Sequence, residues 1–281
     1  MKEINLNANI KMPMLGLGTF RNNDESVVIN TVLTALKIGY RNIDTAKAYN
    51  NEEYIGRALK MSGLPRKSIF ITTKIKIHPN EKMVRELIED SLTKLQTSYL
   101  DLVLIHWPSH DYDLNYQTYS ILEEYYNKGI IKAIGVSNFS IHHLANLISR
   151  AKIKPQINQV ELHPGLNQIP LQKYLNENNI ALQSYGPFMK GNVFSGNYFD
   201  VLNEIANNHL ATIAQIVIAW GLNRNIVMIP MSTNPINLET NFKAKDINLS
   251  KEEIEKINKL NVAKRVYSDP DNNSIYLYEG R

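Results

Sequence analysis

The chain alternates short apolar segments with longer amphipathic segments, and this alternation constrains its fold more than any other feature of the sequence. Eight short segments have the length, apolar content and flanking turn residues of buried strands. They are Leu15–Gly18, Asn42–Asp44, Ile69–Lys74, Leu100–His106, Ile131–Ser137, Asn158–Glu161, Ala181–Tyr185 and Ile226–Met231. Strands that alternate with helices in this way are typical of parallel sheets in α/β proteins.

The intervening segments carry apolar residues at spacings of three and four, which predicts amphipathic helices. The predicted helices are Glu25–Ile38, Glu52–Met61, Glu81–Leu95, Tyr116–Asn127, Ile141–Arg150, Pro170–Glu177 and Thr212–Leu222. After the last strand, Pro235–Phe242 and Lys251–Leu260 predict extra C-terminal helices, the second with a capping box of Ser250 and Glu253. Before the first strand, Lys2–Leu6 and Ile10–Met12 predict an N-terminal β-hairpin placed to plug one end of the sheet.

Eight βα units favour a closed (β/α)8 TIM barrel over an open doubly wound sheet. The sequence contains no composition break and no long linker, so we predict one barrel domain over residues 1–281. The Gly16-Leu17-Gly18 run is not a dinucleotide fingerprint, because Arg21 stands where the third glycine belongs. A Rossmann domain is therefore not expected.

Charge and cysteine content exclude several classes of function. Lys and Arg number 31 against 27 Asp and Glu, and the two signs are interleaved, so we expect no nucleic-acid binding. The absence of cysteine excludes disulfides, thiolate nucleophiles and Cys-based metal sites. The apolar stretches are far shorter than the ~20 residues that span a bilayer, and the N-terminus lacks an apolar signal region. We therefore expect a cytoplasmic protein without a membrane partner, and a monomer, since nothing in the sequence demands an interface.

Polar side chains stand at the carboxyl ends of successive predicted strands, where βα barrels build their active sites. Asp44, Lys74 and His106 end the second, third and fourth strands, and Tyr49 follows in the loop after Asp44. These four residues, here called the quartet, could protonate a carbonyl oxygen while a reductant supplies hydride to the carbon. A free tyrosine has a pKa of about 10, so it needs a cation such as Lys74 beside it to act as an acid. Asp44 would compensate the buried ammonium, and His106 would orient the carbonyl by a hydrogen bond.

Each member of the quartet also has an ordinary structural interpretation. An aspartate in a βα loop is usually a helix cap, a tyrosine usually packs against its neighbours, and a lysine usually lies at the surface. Four such residues at successive strand ends are harder to explain in this way than one, which favours the chemical interpretation.

Several longer motifs accompany the quartet. They are Gly16-Leu17-Gly18-Thr19, Gly39-Tyr40-Arg41-Asn42-Ile43-Asp44-Thr45-Ala46, Asn51-Glu52-Glu53, Thr73-Lys74, Tyr99-Leu100-Asp101-Leu102, His106-Trp107-Pro108, Gly135-Val136-Ser137-Asn138-Phe139 and Asn158-Gln159-Val160-Glu161-Leu162-His163-Pro164. With these motifs the sequence resembles the aldo-keto reductases, NAD(P)(H)-dependent (β/α)8-barrel oxidoreductases, over nearly the whole chain. Short loops after the fourth and seventh strands make it most similar to small bacterial members, such as diketogluconate and methylglyoxal reductases.

The resemblance implies a reductase of small aldehydes, 2-oxoaldehydes or ketones. Tyr49 would be the general acid, tuned by Lys74 and Asp44, and His106 would orient the carbonyl. Ser137, Asn138 and Gln159 would hold the nicotinamide carboxamide, Tyr185 would stack on the ring, and Thr19, Ser232 and Asn241 would be further cofactor contacts. Phe20, Tyr49, Trp107 and Tyr276 would form an aromatic and fairly apolar substrate pocket. Its variable walls would be the C-terminal tail that ends in Tyr276–Arg281, together with Asp111–Asn115 and Phe188–Tyr198.

The segment after the eighth strand departs from the family pattern. The family usually has Pro-Lys-Ser there, then Pro-x-Arg, and these two basic residues bind the 2′-phosphate of NADP. Here the two positions hold Met231 and Asn237. Losing two charge-assisted hydrogen bonds, worth roughly 1.5–3 kcal/mol each, should weaken any preference for NADP. We therefore predict that NADH serves at least comparably, unless Lys243 or Lys245 compensates.

Two other functions remain open at this point. In a barrel lyase Lys74 would form a Schiff base, although Tyr185 and the Ser137, Asn138 and Gln159 trio would then have no role. In a non-catalytic barrel subunit the protein would bind a nucleotide and reduce nothing.

We expect no metal site. His106 and His110 lie in a loop around Pro108, and the adjacent His142 and His143 fall in a helix, where one ring should face solvent.

Overall fold

The computed structural model describes residues 2–272, in which parallel strands alternate with helices. The strands are β1 (Glu3–Asn5), β2 (Lys11–Pro13), β3 (Leu17–Gly18), β4 (Asn42–Asp44), β5 (Phe70–Ile75), β6 (Leu102–Ile105), β7 (Ile134–Ser137), β8 (Ile157–Glu161), β9 (Ala181–Tyr185) and β10 (Val227–Met228). The helices are α1 (Glu25–Ile38), α2 (Glu52–Met61), α3 (Glu81–Lys94), α4 (Tyr112–Asn127), α5 (Ile141–Arg150), α6 (Ile169–Glu177), α7 (Gly196–Asn208), α8 (Ile213–Asn223), α9 (Pro235–Lys243) and α10 (Lys251–Asn258).

Strands β3 to β10 form one parallel sheet in chain order, and the sheet closes on itself. Closure is made at its two edges, where the Gly16 N–H donates to the Met228 carbonyl at 2.9 Å and the Met228 N–H donates to the Met14 carbonyl at 2.8 Å. The predicted (β/α)8 barrel is therefore confirmed. Because all eight strands run the same way, their carboxyl ends meet at one end of the barrel.

The barrel strands are buried on both faces, as the helices around them require. Every residue of β5 and of β6 is buried. The helices bury one stripe each, and α1 does so with Val28, Thr31, Val32 and Ala35. Side chains at spacings of three and four thus face the sheet, while the intervening positions face solvent.

The N-terminal hairpin covers the amino end of the barrel. Its two strands pair antiparallel, with Ile4 opposite Met12. The Asn42 side-chain amide, at the start of β4, donates to the Pro13 carbonyl, and the Asn7 amide donates to the carbonyl of Lys132, ahead of β7. The hairpin therefore closes the end opposite to the one at which the strand carboxyl ends converge.

The sequence predictions and the structure differ mainly at element ends. The helices α1, α2 and α5 have the predicted bounds, and the capping box of Ser250 and Glu253 is present in α10. Several strands are shorter than predicted, and β10 keeps only two residues. The helix α7 was missed entirely, because its asparagine-rich sequence has low helix propensity. Its buried residues, Leu202, Ile205 and Ala206, do follow helical spacing.

No helix in the described part of the chain combines the length and the apolarity needed to cross a membrane.

Candidate active site

A cavity of about 840 Å³ opens at the carboxyl ends of the barrel strands. Asp44, Tyr49 and His106 line it, and Lys74 lies fully buried beside Asp44. The structure thus brings the four members of the quartet together, although they are spread over more than 60 residues of sequence.

Strand register explains why Asp44 and Lys74 meet. Asp44 is opposite Thr72 in the pairing of β4 with β5, and Lys74 lies two residues further along β5. Side chains two residues apart in a strand point to the same face, so both point into the barrel. The Lys74 Nζ lies 2.5 Å from Asp44 Oδ1 and donates to the Thr45 carbonyl at 2.8 Å. Burial lowers the pKa of Lys74 and raises the pKa of Asp44, and their ion pair opposes both shifts.

Tyr49 ends a short 3-10 turn in the loop after β4. Its ring centroid lies 5.0 Å from the Lys74 Nζ, so the ammonium sits against the phenol. The buried Asn51 holds this loop: its amide donates to the carbonyls of Thr19 and Asn22, and its oxygen accepts from the Thr45 hydroxyl at 2.6 Å. Sequence reasoning gave Asn51 no role at the site, because its partners belong to another loop.

His106 follows β6 and packs edge-on against Tyr49, with ring centroids 5.7 Å apart. Burial, with a smaller contribution from the charge of Lys74, holds the pKa of His106 well below 6.5. The imidazole is therefore neutral near pH 7. A neutral imidazole can donate a hydrogen bond to a carbonyl oxygen without carrying charge into the cavity.

The polar residues expected to hold a nicotinamide form the neighbouring wall of the same cavity. Ser137, Asn138, Gln159 and Tyr185 all line it. The Tyr185 hydroxyl donates to Asn138 Oδ1 at 2.8 Å, and the Asn138 amide donates to the His106 carbonyl at 3.0 Å. Gln159 Nε2 donates to Asp44 Oδ2 at 2.7 Å. This wall and the quartet are therefore joined by hydrogen bonds.

The remaining lining is aromatic and cationic. Phe20 packs against Tyr49 at a centroid distance of 5.1 Å, and Trp107 lies beside His106 in the lining. Arg21 and Lys190 also line the cavity, and within residues 2–272 neither has an ion-pair partner. In the sequence-based prediction Arg21 has no role, and Lys190 enters only as part of the predicted wall Phe188–Tyr198.

The predicted variable walls are only partly correct. Phe188 and Phe194 line the cavity, but Asp111–Asn115 does not. Asp111 instead caps α4. Tyr267 lines it as well and was not predicted. Tyr276 lies outside the described residues.

Comparison with known proteins identifies the family to which the chain belongs. The sequence profile of the aldo/keto reductase family matches residues 14–262. The chain belongs to this family. It is 42% identical over 262 residues to the methylglyoxal reductase DkgA of Escherichia coli K12, covering 92% of this chain and 94% of that protein.

Two solved aldo/keto reductases share the fold. The crystal structure of MGS-M4, an aldo-keto reductase from a Medee basin deep-sea metagenome library, superposes with a TM-score of 0.90 at 41% identity, covering 95% of this chain and 98% of that one. The Bombyx mori aldo-keto reductase in complex with NADP superposes with a TM-score of 0.88 at 30% identity, covering 96% of each chain. This aldo/keto reductase is accordingly an oxidoreductase that uses NAD(P)H and reduces carbonyl compounds.

The residues present fit a nicotinamide dinucleotide. Tyr185 offers a half-buried aromatic ring, and Asn138 and Gln159 offer side-chain amides on the same wall. Arg21 and Lys190 supply positive charge to the same cavity, which suits the diphosphate that joins the two halves of such a cofactor.

The segment after β10 lacks a free cation where the family has basic residues. Met231 lines the cavity and is 43% exposed. Ser232, Asn237 and Asn241 lie outside the lining, on the segment that continues into α9. Lys243 is paired with Glu239 at 2.9 Å, and Lys245 is paired with Asp246 at 2.5 Å. Each of the two lysines that could compensate therefore lies next to a carboxylate, which lowers the net positive charge near it.

The position of Lys74 argues against a Schiff-base lyase. The Lys74 side chain has no exposed surface, is not part of the cavity lining and is held by Asp44 and Thr45. A Schiff base would need this amine to reach a substrate carbon and to give up its ion pair.

One cluster of metal-ligating side chains occurs among residues 2–272, formed by His142, His143 and Asp271. The Asp271 carboxylate lies 3.2 Å from His142 Nε2 and 3.7 Å from His143 Nε2. His143 Nδ1 accepts the Ser140 N–H in the capping box of α5. Since Nδ1 accepts this bond, the single proton of the neutral ring lies on Nε2. A metal bound at Nε2 would move that proton to Nδ1 and break the bond to Ser140. His142 is 52% exposed and His143 is buried, as the helical pattern predicts.

Proposed function

We propose that this aldo/keto reductase reduces small aldehydes and 2-oxoaldehydes, with Tyr49 as the general acid. The observation that carries the proposal is the position of the Lys74 ammonium, 5.0 Å from the Tyr49 ring centroid and fixed on Asp44. A cation beside a phenol favours the phenolate, which makes the tyrosine a stronger acid.

The proposed step needs one proton and one hydride. The nicotinamide supplies the hydride to the carbonyl carbon when it is bound. Tyr49 gives its hydroxyl proton to the carbonyl oxygen and recovers a proton from water through the open cavity. His106 donates a hydrogen bond that orients the carbonyl, and Lys74 stabilises the negative charge left on Tyr49.

We propose that Ser137, Asn138 and Gln159 hold the nicotinamide carboxamide, that Tyr185 stacks on the ring, and that Thr19, Ser232 and Asn241 contact the rest of the cofactor. With Met231 and Asn237 in place of basic residues, NADH should be used at least as well as NADPH. The carboxylates beside Lys243 and Lys245 lower the net positive charge available to a 2′-phosphate, which supports this preference.

The substrate class follows from the aromatic lining and from the relative DkgA. Phe20, which packs against Tyr49, and Trp107 in the same lining favour a small, largely apolar carbonyl compound. The name of DkgA makes methylglyoxal the first substrate to test. We further propose a cytoplasmic monomer that acts on small molecules alone. Light scattering coupled to size exclusion tests the monomer.

The deciding experiment measures initial rates of NADH and NADPH oxidation with methylglyoxal and with glyceraldehyde, for the wild type and for Tyr49→Phe. The proposal expects turnover in the wild type and its loss in Tyr49→Phe, by a factor of about 10² or more. A folded Tyr49→Phe variant with wild-type turnover would remove Tyr49 from the proposed role. A folded wild type that turns over neither cofactor would favour the non-catalytic subunit.

A further inference from the structure

Residues 261–268, here called the C-terminal strap, run along the loop that follows β8. The Val262 and Lys264 N–H groups donate to the Gly165 carbonyl at 3.2 and 3.3 Å. The Asn167 N–H donates to Asn261 Oδ1 at 3.0 Å. These three hydrogen bonds therefore fix the strap to a barrel loop almost 100 residues earlier in the chain.

A buried carboxylate makes the shortest of these hydrogen bonds to the strap. Glu161 ends β8 and has no exposed surface. Its Oε1 accepts the Val266 N–H at 2.6 Å and contacts His163 Nε2 at 2.9 Å. Arg265 Nη1 lies 3.9 Å from its Oε2. Glu161 does not line the cavity, so the quartet chemistry does not account for it. Since an isolated buried carboxylate is costly, its contacts with the strap hold the strap in one position.

Tyr267, the next residue of the strap after Val266, lines the cavity. Its ring packs against Tyr185 at a centroid distance of 5.4 Å and an interplanar angle of 78°. The Lys190 Nζ lies 4.7 Å from the Tyr267 ring centroid. Gly186 has a φ of +63°, and a Cβ there would lie only 2.5 Å from Tyr267 Cε2. The close approach of this ring therefore depends on glycine at position 186.

The packing of Tyr267 restrains the Tyr185 ring in a way that the hydrogen bond to Asn138 does not. The Tyr185 hydroxyl donates to Asn138, but the hydroxyl lies on the axis about which a tyrosine ring rotates. That bond fixes the axis of the ring and not its plane, and the torsion about this axis is intrinsically broad. A neighbour packed at 78° against the ring does restrict its plane.

We propose that Tyr267 is a positioning residue: it fixes the plane of the Tyr185 ring against which the nicotinamide stacks, and Glu161 holds Tyr267 there through the Val266 backbone. The inference rests on the proposed function, which makes Tyr185 the stacking platform. Its consequence is local. Loss of Tyr267 weakens the binding of the nicotinamide half of the cofactor and leaves the binding of the adenosine diphosphate half unchanged.

Calorimetric titration of the folded protein with NADH and with ADP-ribose, which lacks the nicotinamide, tests this consequence. Tyr267→Ala should raise the Kd for NADH about three- to ten-fold, as expected for the loss of one aromatic pair, and leave the Kd for ADP-ribose unchanged. Tyr267→Phe keeps the ring and should restore the wild-type Kd for NADH. Glu161→Gln should also raise the Kd for NADH, but by a smaller factor, because the amide oxygen can still accept a hydrogen bond from the Val266 N–H.

Matched controls come from elsewhere in the barrel. Glu123 is a buried glutamate that accepts the Ile153 N–H at 2.7 Å, away from the cavity lining. Tyr99 is packed by Arg66 and Lys132, again away from that lining. Glu123→Gln and Tyr99→Ala should change neither Kd.

Two results would overturn the inference while leaving the proposed function intact. In the first, Tyr267→Ala raises the Kd for ADP-ribose as much as the Kd for NADH. The variant would then act on the diphosphate, through Lys190, which packs on the Tyr267 ring. In the second, Tyr267→Ala changes neither Kd. A wild type that does not bind NADH or NADPH would instead overturn the proposed function itself.

Discussion

The Nζ of Lys74 lies 2.5 Å from Oδ1 of Asp44 inside the barrel, where the two side chains are 0% and 3% exposed. Burial disfavours each charge alone, so each residue is stable in its charged form chiefly because of the other. The same pair places a cation 5.0 Å from the Tyr49 ring centroid. Stability and the proposed chemistry therefore depend on the same contact.

Removing one partner of this pair should destabilise the protein more than removing both. Asp44→Asn or Lys74→Met alone leaves an unpaired buried charge and should lower the free energy of unfolding by about 3–5 kcal/mol. The double variant leaves neither charge of this pair and should recover most of that loss, while turnover stays absent in all three. Urea unfolding at pH 7 measures the difference. A double variant whose loss equals the sum of the two single losses would contradict this account.

Because His106 is neutral, we expect the pH dependence of kcat/KM to show no step from ionisation of this residue. Because burial holds the pKa of His106 well below 6.5, the ring stays neutral from pH 6.5 to 8. His106→Gln, which keeps a neutral donor, should lower kcat/KM without changing the shape of its pH dependence over this range. Steady-state rates at closely spaced pH values provide the measurement. An inflection near pH 6.5 that is lost in the variant would show that His106 titrates.

Restoring charge to the segment after β10 should shift cofactor preference. Met231→Lys with Asn237→Arg should lower KM for NADPH at least ten-fold and change KM for NADH less than about two-fold, because only NADPH carries the 2′-phosphate. Met61→Lys serves as the control, since Met61 lies in α2 and is 64% exposed. Equal effects of the double variant on the two cofactors would rule out a specific phosphate contact.

His143 should make the protein less stable in acid. Burial lowers the pKa of His143 to about 4, the exposed neighbour His142 and His110 add to the lowering, and Asp271 opposes it. Between pH 6.5 and 4 the unfolded chain binds a proton at this position and the folded chain does not, so stability falls as pH falls.

His143→Gln removes this titration and keeps the capping box, because glutamine at the same helix position can accept the Ser140 N–H. From pH 7 to pH 5 the variant should lose about 1–2 kcal/mol less stability than the wild type. Urea unfolding at the two pH values measures this difference. His142→Gln, at the 52% exposed neighbour, should retain most of the wild-type dependence. Parallel losses in wild type and His143→Gln would refute the assignment.

Much of the fold and the quartet could be predicted from the sequence because both depend on local pattern. The helix α1 has its predicted bounds, since Asp24 caps its start, Gly39 ends it and apolar residues recur between them. Asp44 and His106 could be found because each stands at or just beyond the end of a strand. Lys74 is predicted to end its strand, but β5 continues for one more residue to Ile75. The helix α7 was missed because its local propensity is poor and its burial against α8 is a tertiary effect.

The parts of the site that the sequence did not predict are contacts between distant segments. Glu161 is part of a recognisable motif, but its contact with Val266 spans 105 residues. Tyr267 stands in a stretch without periodicity, and its neighbour Tyr185 lies 82 residues earlier (267 − 185). Lys243 and Lys245 are candidates for binding phosphate from the sequence, and only the structure shows that Glu239 and Asp246 lie beside them.

The sequence by itself determined the barrel and the residue types at its mouth, because periodicity fixes which face of each element is buried and where each strand ends. Only the tertiary structure decided which of those side chains touch. Closure of the sheet and strand register bring Lys74 onto Asp44, and the strap brings Tyr267 onto Tyr185. Such contacts depend on how the elements are placed relative to one another. This placement is set by the packing of the whole chain and is not encoded in any single segment.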